Sequence, residues 1–106
     1  MDERERFLLE NALDAHDRLW DWQSSVVDVW ALYAATAEAL SATPHRAAFD
    51  PAVATLAALM RSEMSADDQR LHACGSTDEL RQYIVRRLEW ADARGAADDR
   101  PQSAPD

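Results

Sequence analysis

The spacing of apolar residues in the first forty positions is that of an α-helix. Within the first segment, about residues 2–42, a three-four spacing joins Leu9, Leu13, His16, Trp20, Gln23, Val27, Trp30, Ala34 and Ala37. This spacing places the whole set on one side of a helix, and only His16 and Gln23 are polar. The pattern predicts a helical segment with Trp20 and Trp30 in the core.

The same segment contains a signal for a second helix start. Ser25 is followed three residues later by Asp28, which is close to the pattern of a capping box. An unbroken helix of ~40 residues would be ~60 Å long. The later helices are too short to cover that length, so a continuous helix would imply a dimer. We therefore favour a kink or break near residues 23–25 over a continuous helix.

A proline and an Asp-Pro pair set the next boundaries. Pro44 disfavours helical geometry in the residue before it, so residues 41–50 are predicted to form a connection. Asp50 and Pro51 have the residue types of an N-cap and a first helical position. The third helix is therefore predicted to run from Pro51 to about Met64.

Two further helices are predicted, each between a hydroxyl N-cap and a glycine. They cover residues 66–73 and 78–94. The first is predicted to begin after Ser65 and end at Gly75. The second is predicted to begin after Ser76 or Thr77 and end at Gly95. Ser76 with Glu79 has the spacing of a capping box. The remaining residues, 96–106, are polar and proline-containing and are predicted to be a flexible tail.

The composition agrees with helices throughout. Hydrophobic residues make up 47% of the 106, and glycine and proline together number only six. No stretch has the alternating pattern of a strand. The predicted fold class is all-α: a compact bundle of four or five helices formed by residues 1–95 as a single domain.

Net charge restricts the classes of partner. The formal net charge is −9, and residues 1–41 hold nine acids against three arginines. Phosphate-mediated binding to nucleic acids and attachment to anionic membranes are both disfavoured by this sign, whereas a basic protein partner is favoured. All eleven basic residues are arginine, which, with the abundance of alanine, favours a bacterial or phage source.

One face of the first segment is predicted to be acidic. At ~100° per residue, the acids Glu10, Asp14, Asp17, Asp21 and Asp28 fall in one arc opposite the apolar side. Like charges four residues apart destabilise a helix, so this clustering needs a reason. One interpretation is a docking surface for a basic partner. The other is a solvated face, or one that arginines from another helix neutralise, with Arg81, Arg86 and Arg87 as candidates.

The sequence contains no convincing catalytic or metal-binding pattern. His16, His45 and His72 lack the spacing of helical metal ligands, and His16 is predicted to be a core residue. The single cysteine, Cys74, is predicted to be a small buried hydrophobe. We expect no cofactor, no metal and no enzymatic activity. One cysteine, the lack of a secretory signal and the lack of a membrane span favour the cytoplasm.

Binding is therefore the predicted function. The main hypothesis is a small acidic inhibitor of the immunity-protein or antitoxin class, which neutralises a basic partner such as a toxin or a nucleic-acid-handling enzyme. Its predicted docking residues are the five acids, with Trp22 or Tyr33 as aromatic anchor. The alternative is a structural or adaptor domain that forms a homodimer through its tryptophan-rich first segment.

Overall fold

Five helices joined by short connections make up the computed structural model, which describes residues 1–98. They are α1 (Glu3–Trp20), α2 (Val26–Ala39), α3 (Arg46–Met60), α4 (Ala66–Ser76) and α5 (Asp78–Asp98). Within these residues there is no strand. The predicted all-α bundle is confirmed, with five helices. No helix among the described residues is long and apolar enough to cross a membrane.

The predicted break in the first segment is present between α1 and α2. The hydroxyl of Ser25 accepts a hydrogen bond from the Asp28 amide at 3.1 Å, and the Asp28 carboxylate accepts one from the Ser25 amide at 3.3 Å. This is a complete capping box, so Ser25 is the N-cap of α2, as the sequence indicates. The break lets α1 and α2 pack against each other rather than extend as one rod.

The predicted start of the third helix at Asp50–Pro51 is wrong. Helix α3 begins at Arg46 and contains Pro51. The preceding turn is closed earlier by Thr43, whose hydroxyl donates to the Leu40 carbonyl at 2.8 Å and accepts from the His45 amide at 3.1 Å. Pro51 lies in the second turn, where its missing amide removes only one helical hydrogen bond. The C-terminal end also comes early, at Met60 instead of Met64.

Glycine does not terminate either of the last two helices. The cap at Ser65 is confirmed, because its hydroxyl accepts from the Asp68 amide at 3.1 Å. However, α4 continues through Gly75 to Ser76, and α5 continues through Gly95 to Asp98. Neither glycine has a positive φ, the conformation in which glycine ends a helix. The rest of the predicted tail, residues 99–106, lies outside the described residues.

The predicted capping box of Ser76 with Glu79 does not form. The Ser76 hydroxyl donates to the Ala73 carbonyl at 3.3 Å, and the Thr77 hydroxyl donates to the same carbonyl at 2.7 Å. Both hydroxyls therefore satisfy the C-terminal end of α4 and not the N-terminal end of α5.

The core contains side chains from all five helices. Its largest fully buried members are Tyr33, Phe49, Leu9, Leu19, Leu40, Leu56 and Ile84. Tyr33 and Phe49 meet edge to face with ring centroids 5.9 Å apart, which joins α2 to α3.

The prediction that Trp20 is a core residue is wrong, because Leu19 occupies the core instead and Trp20 is 52% exposed. Trp30 is half-buried and packs against the core. The predicted pattern assumed one helical phase through residues 21–25. The break resets that phase, so Val26 is buried and Val27 is exposed.

Candidate interaction surface

The predicted acidic face is exposed but largely neutralised. All five acids are exposed. On α1, Asp14 pairs with Arg18, and Glu10 lies 3.5 Å from Arg6. Asp17 lies 3.7 Å from Arg81 of α5, one of the arginines that the sequence suggested as a neutralising partner. Exposed pairs of this kind contribute little to stability, but they reduce the charge offered to a partner.

The acids also do not form one continuous stripe. Asp28 belongs to α2, beyond the break, and its carboxylate is engaged in the capping box with Ser25. Asp21 is the C-cap of α1. Among the described residues its carboxylate makes no ion pair and no hydrogen bond, which distinguishes it from the other four acids.

Exposed aromatic surface is concentrated beside Asp21. We call Trp20, Asp21 and Trp22 the tryptophan corner. Trp20 is 52% exposed and Trp22 is 63% exposed. Val27, at the second position of α2, is 55% exposed and extends the apolar surface past the corner. An exposed cluster of large apolar side chains is typical of an interaction surface.

The backbone of the corner has a defined conformation that normally needs glycine. The Trp22 amide donates to the Leu19 carbonyl at 3.3 Å, and the Gln23 amide donates to the Arg18 carbonyl at 2.8 Å. This pair of bonds is the Schellman motif, in which the residue at the Trp22 position adopts left-handed geometry and is usually glycine. Trp22 has φ 62° and is the only non-glycine residue with positive φ in the described part of the chain.

A buried arginine from another helix contacts the corner. The guanidinium of Arg70, on α4, lies over the Trp22 ring at 3.5 Å from its centroid. The same group donates to the Trp20 carbonyl, at the negative end of the α1 dipole. Arg70 is only 7% exposed. Arg70 therefore holds the Trp22 ring and the Trp20 backbone, while both tryptophan side chains remain more than half exposed.

Tyr33 cannot serve as the surface anchor that the sequence suggested. It is fully buried, and its hydroxyl has no hydrogen-bond partner among the described residues. Burial, with smaller effects from Asp17 and Cys74, raises the pKa of the phenol above its usual range. Tyr33 stands one turn after Val29 on the inner side of α2 because the helical phase of α2 is set by the cap at Ser25.

His16 lies behind the corner and is the core residue that the sequence predicted. Its ring is 1% exposed and lies 6.5 Å from the Trp20 ring, centroid to centroid. Burial lowers the pKa of His16; the Cys74 backbone and the Asp17 carboxylate oppose that shift. Neither ring nitrogen has a well-aligned hydrogen bond among the described residues, so the Cys74 contact is a weak one.

The other potential sites show weaker signs of function than the tryptophan corner. Among residues 1–98, no three histidine, cysteine or acidic side chains converge as metal ligands. Burial raises the pKa of the Cys74 thiol, although Arg70 opposes this, so the thiol is held in its unreactive form. A surface groove of about 340 Å³ between α3 and α5 is lined largely by small side chains, with Glu79, Tyr83 and Arg86 along its other wall.

The tryptophan corner contains Asp21 and Trp22, which the sequence suggests as docking residues, together with Trp20, which the sequence placed in the core, and it is contacted by Arg70, which the sequence did not suggest. The sequence does contain a local signal for the corner. A helix that ends before Ser25 must form its C-terminal turn within residues 21–24, where there is no glycine. Arg70 is fifty positions from Trp20 in the chain, and no sequence signal connects them.

No protein-family model matches the chain, and no curated protein or solved structure shows significant similarity to it. The geometry of the tryptophan corner is therefore the basis for a functional proposal.

Proposed function

We propose that this protein is a small acidic binding protein that docks on a basic partner protein through the tryptophan corner. In this role it is an inhibitor of the immunity-protein or antitoxin type, and it covers a basic surface of its partner. It uses no cofactor and catalyses no reaction. The observation that carries the proposal is the left-handed Trp22, a tryptophan at a position that favours glycine.

The corner has the features of a binding anchor. Tryptophan is enriched among the residues that contribute most to protein–protein affinity, because it buries a large area with few rotatable bonds. Trp22 keeps its ring in solvent at the cost of an unfavourable backbone conformation, about 1–2 kcal/mol for an L-residue. Strained residues that the surrounding structure enforces are concentrated at functional sites. Arg70 holds the Trp22 ring in this conformation, so little conformational entropy is lost when a partner binds.

Charge selects the class of partner. The Asp21 carboxylate is unengaged among the described residues, and the first 41 positions, with nine acids against three arginines, carry most of the net negative charge of the chain. A basic partner is attracted to this segment over several ångströms and gains association rate from the attraction. The paired acids Glu10, Asp14 and Asp17 contribute through this field and are not direct contacts in the proposal.

The test compares the corner with a matched tryptophan elsewhere. Trp90, on α5, is 52% exposed, as is Trp20. Tagged wild-type protein, a Trp20→Ala/Trp22→Ala variant and a Trp90→Ala variant are used to capture partners from a bacterial lysate, and the affinity of each purified partner is then measured. We expect a basic partner whose affinity falls at least tenfold in the corner variant, stays unchanged in Trp90→Ala, and decreases with added salt.

Equal capture by the wild type and the corner variant would contradict the proposal. Circular dichroism and thermal unfolding of all three proteins would establish that the variants are folded.

Homodimerisation through the first segment remains a second proposal, because the exposed Trp20, Trp22 and Val27 also suit an apolar self-interface. The concentration of negative charge in this segment opposes the close approach of two copies. Sedimentation equilibrium separates the two proposals: a dimer lost on Trp22→Ala would favour the adaptor, and a monomer at micromolar concentration would favour the inhibitor.

A further inference from the structure

We propose that the tryptophan corner recognises an arginine side chain of the partner, which stacks on the outer face of Trp22 and donates to the carboxylate of Asp21. This inference rests on the proposed function and specifies the chemistry of its contact.

The intramolecular contact of Arg70 shows that the corner accepts a guanidinium. The central carbon of that group lies 3.5 Å from the Trp22 ring centroid while the group donates to the Trp20 carbonyl. An indole ring has two equivalent faces, and Arg70 covers one of them. Because Trp22 is still 63% exposed, the second face is open to solvent. A second guanidinium on that face also meets the negative ring potential, which the charge of Arg70 weakens and the carboxylate of Asp21 reinforces.

Asp21 supplies the opposite charge at the right place. It directly precedes Trp22 and is exposed, and its carboxylate is unengaged among the described residues. A guanidinium stacked on the indole still has N–H groups that point outward in the plane of the guanidinium. Two of these can form parallel hydrogen bonds to a carboxylate. The buried Arg70 and the incoming arginine are on opposite sides of the indole, which separates their positive charges.

Other ligand chemistries fit less well. An apolar side chain that covered the corner would remove water from the Asp21 carboxylate without replacing its hydrogen bonds. An acidic side chain would be repelled. A lysine ammonium neutralises the charge, but it is compact and strongly hydrated and does not stack or form a two-pronged contact. The corner is therefore selective for arginine over lysine at equal charge.

The experiment uses three synthetic peptides of equal length on the full chain: one with arginines, one with lysines in the same places, and one with citrullines, which keep the shape but lack the charge. Binding is followed by the indole N–H signals of the four tryptophans in two-dimensional NMR. We expect the arginine peptide to bind roughly tenfold more tightly than the lysine peptide, with the Trp22 signal shifting most and citrulline binding undetected.

Two conservative variants localise the effect. Trp22→Leu keeps an apolar side chain but removes the π-face, and Asp21→Asn keeps the shape but removes the charge. Each is expected to reduce the preference for arginine to about threefold or less. Trp90→Leu, the matched control, is expected to leave it unchanged. The dispersion of the NMR spectrum reports directly on whether each variant is folded.

The outcomes separate this inference from the proposed function. Equal affinity for the arginine and lysine peptides, lost in Trp22→Leu, would overturn arginine recognition but leave a basic partner at the corner. Shifts confined to Trp90 or Trp30, or affinities insensitive to both corner variants, would overturn the corner as the binding site. Failure of the arginine peptide to bind would overturn the inference directly, whereas a protein partner captured as described above would still support the proposed function.

Discussion

At the scale of single residues, His16 is the most unusual side chain of the core. Buried polar atoms are nearly always hydrogen-bonded, but neither imidazole nitrogen of His16 has a well-aligned partner among the described residues. Burial lowers the pKa of His16 and Arg81 adds to this, whereas the Cys74 backbone, Asp17 and Asp78 oppose it without reversing the direction. The folded protein therefore holds this histidine neutral.

Stability is expected to fall as the pH drops below about 6.5, the usual pKa of an unfolded histidine. Since the folded-state pKa of His16 lies lower, the unfolded chain binds the extra proton first, and the stabilisation present above that pH is lost on acidification. His16→Leu should reduce the fall in melting temperature between pH 7 and pH 5. His72→Gln, at an exposed histidine, is the control.

His45 contributes in the same direction, because burial also lowers its pKa. Its ring lies 2.7 Å from the Tyr83 hydroxyl and 3.5 Å from Glu5. The pH profile of His16→Leu should therefore retain part of the acid sensitivity. An unchanged profile would show that His16 is not a source of it.

At the scale of elements, the cap at Ser25 is the feature that divides the first segment into two helices. Ser25→Ala removes the hydroxyl that accepts from the Asp28 amide. We expect the free energy of unfolding to decrease by about 1 kcal/mol. Urea denaturation measures this, with Ser41→Ala, an exposed serine in the α2–α3 connection, as a near-neutral control. Equal effects of the two substitutions would contradict the importance of the cap.

The helix starts at Ser25 and Ser65 were predictable because each cap joins residues only three positions apart, so the local sequence contains both partners. The start at Asp50–Pro51 was mispredicted because Thr43 closes the preceding turn first. Gly75 and Gly95 were overinterpreted: glycine weakens a helix by about 1 kcal/mol but ends it only where φ turns positive.

The candidate site was predictable only in part. Asp21 and Trp22 follow from local sequence, since an acid lies beside two tryptophans. Trp20 was assigned to the core because it continues the helical spacing of Leu9, Leu13 and His16, but it is the last residue of α1 and is exposed. Arg70 approaches from another helix. Contacts between distant positions depend on how the helices pack, which a single sequence does not specify.

At the scale of the whole molecule, stability depends on the shared core where α2 meets α3. The chain has two phenylalanines, and they make an internal comparison: Phe49 is fully buried against Tyr33, whereas Phe7 is 61% exposed. Phe49→Ala should destabilise the protein by about 3–5 kcal/mol through lost burial and a residual cavity. Phe7→Ala should change stability by no more than about 0.5 kcal/mol. Chemical denaturation of both variants checks the difference, and similar losses would place the core elsewhere.

In the Schellman motif at the end of α1, folding stability and binding favour different residues at position 22. Glycine at position 22 would adopt φ 62° without steric cost, so Trp22→Gly relieves the backbone even as it removes the stack on Arg70. A design procedure that optimises backbone compatibility alone would choose glycine there and would delete the anchor. Engineering a more stable version of this protein should therefore begin with position 22 held fixed.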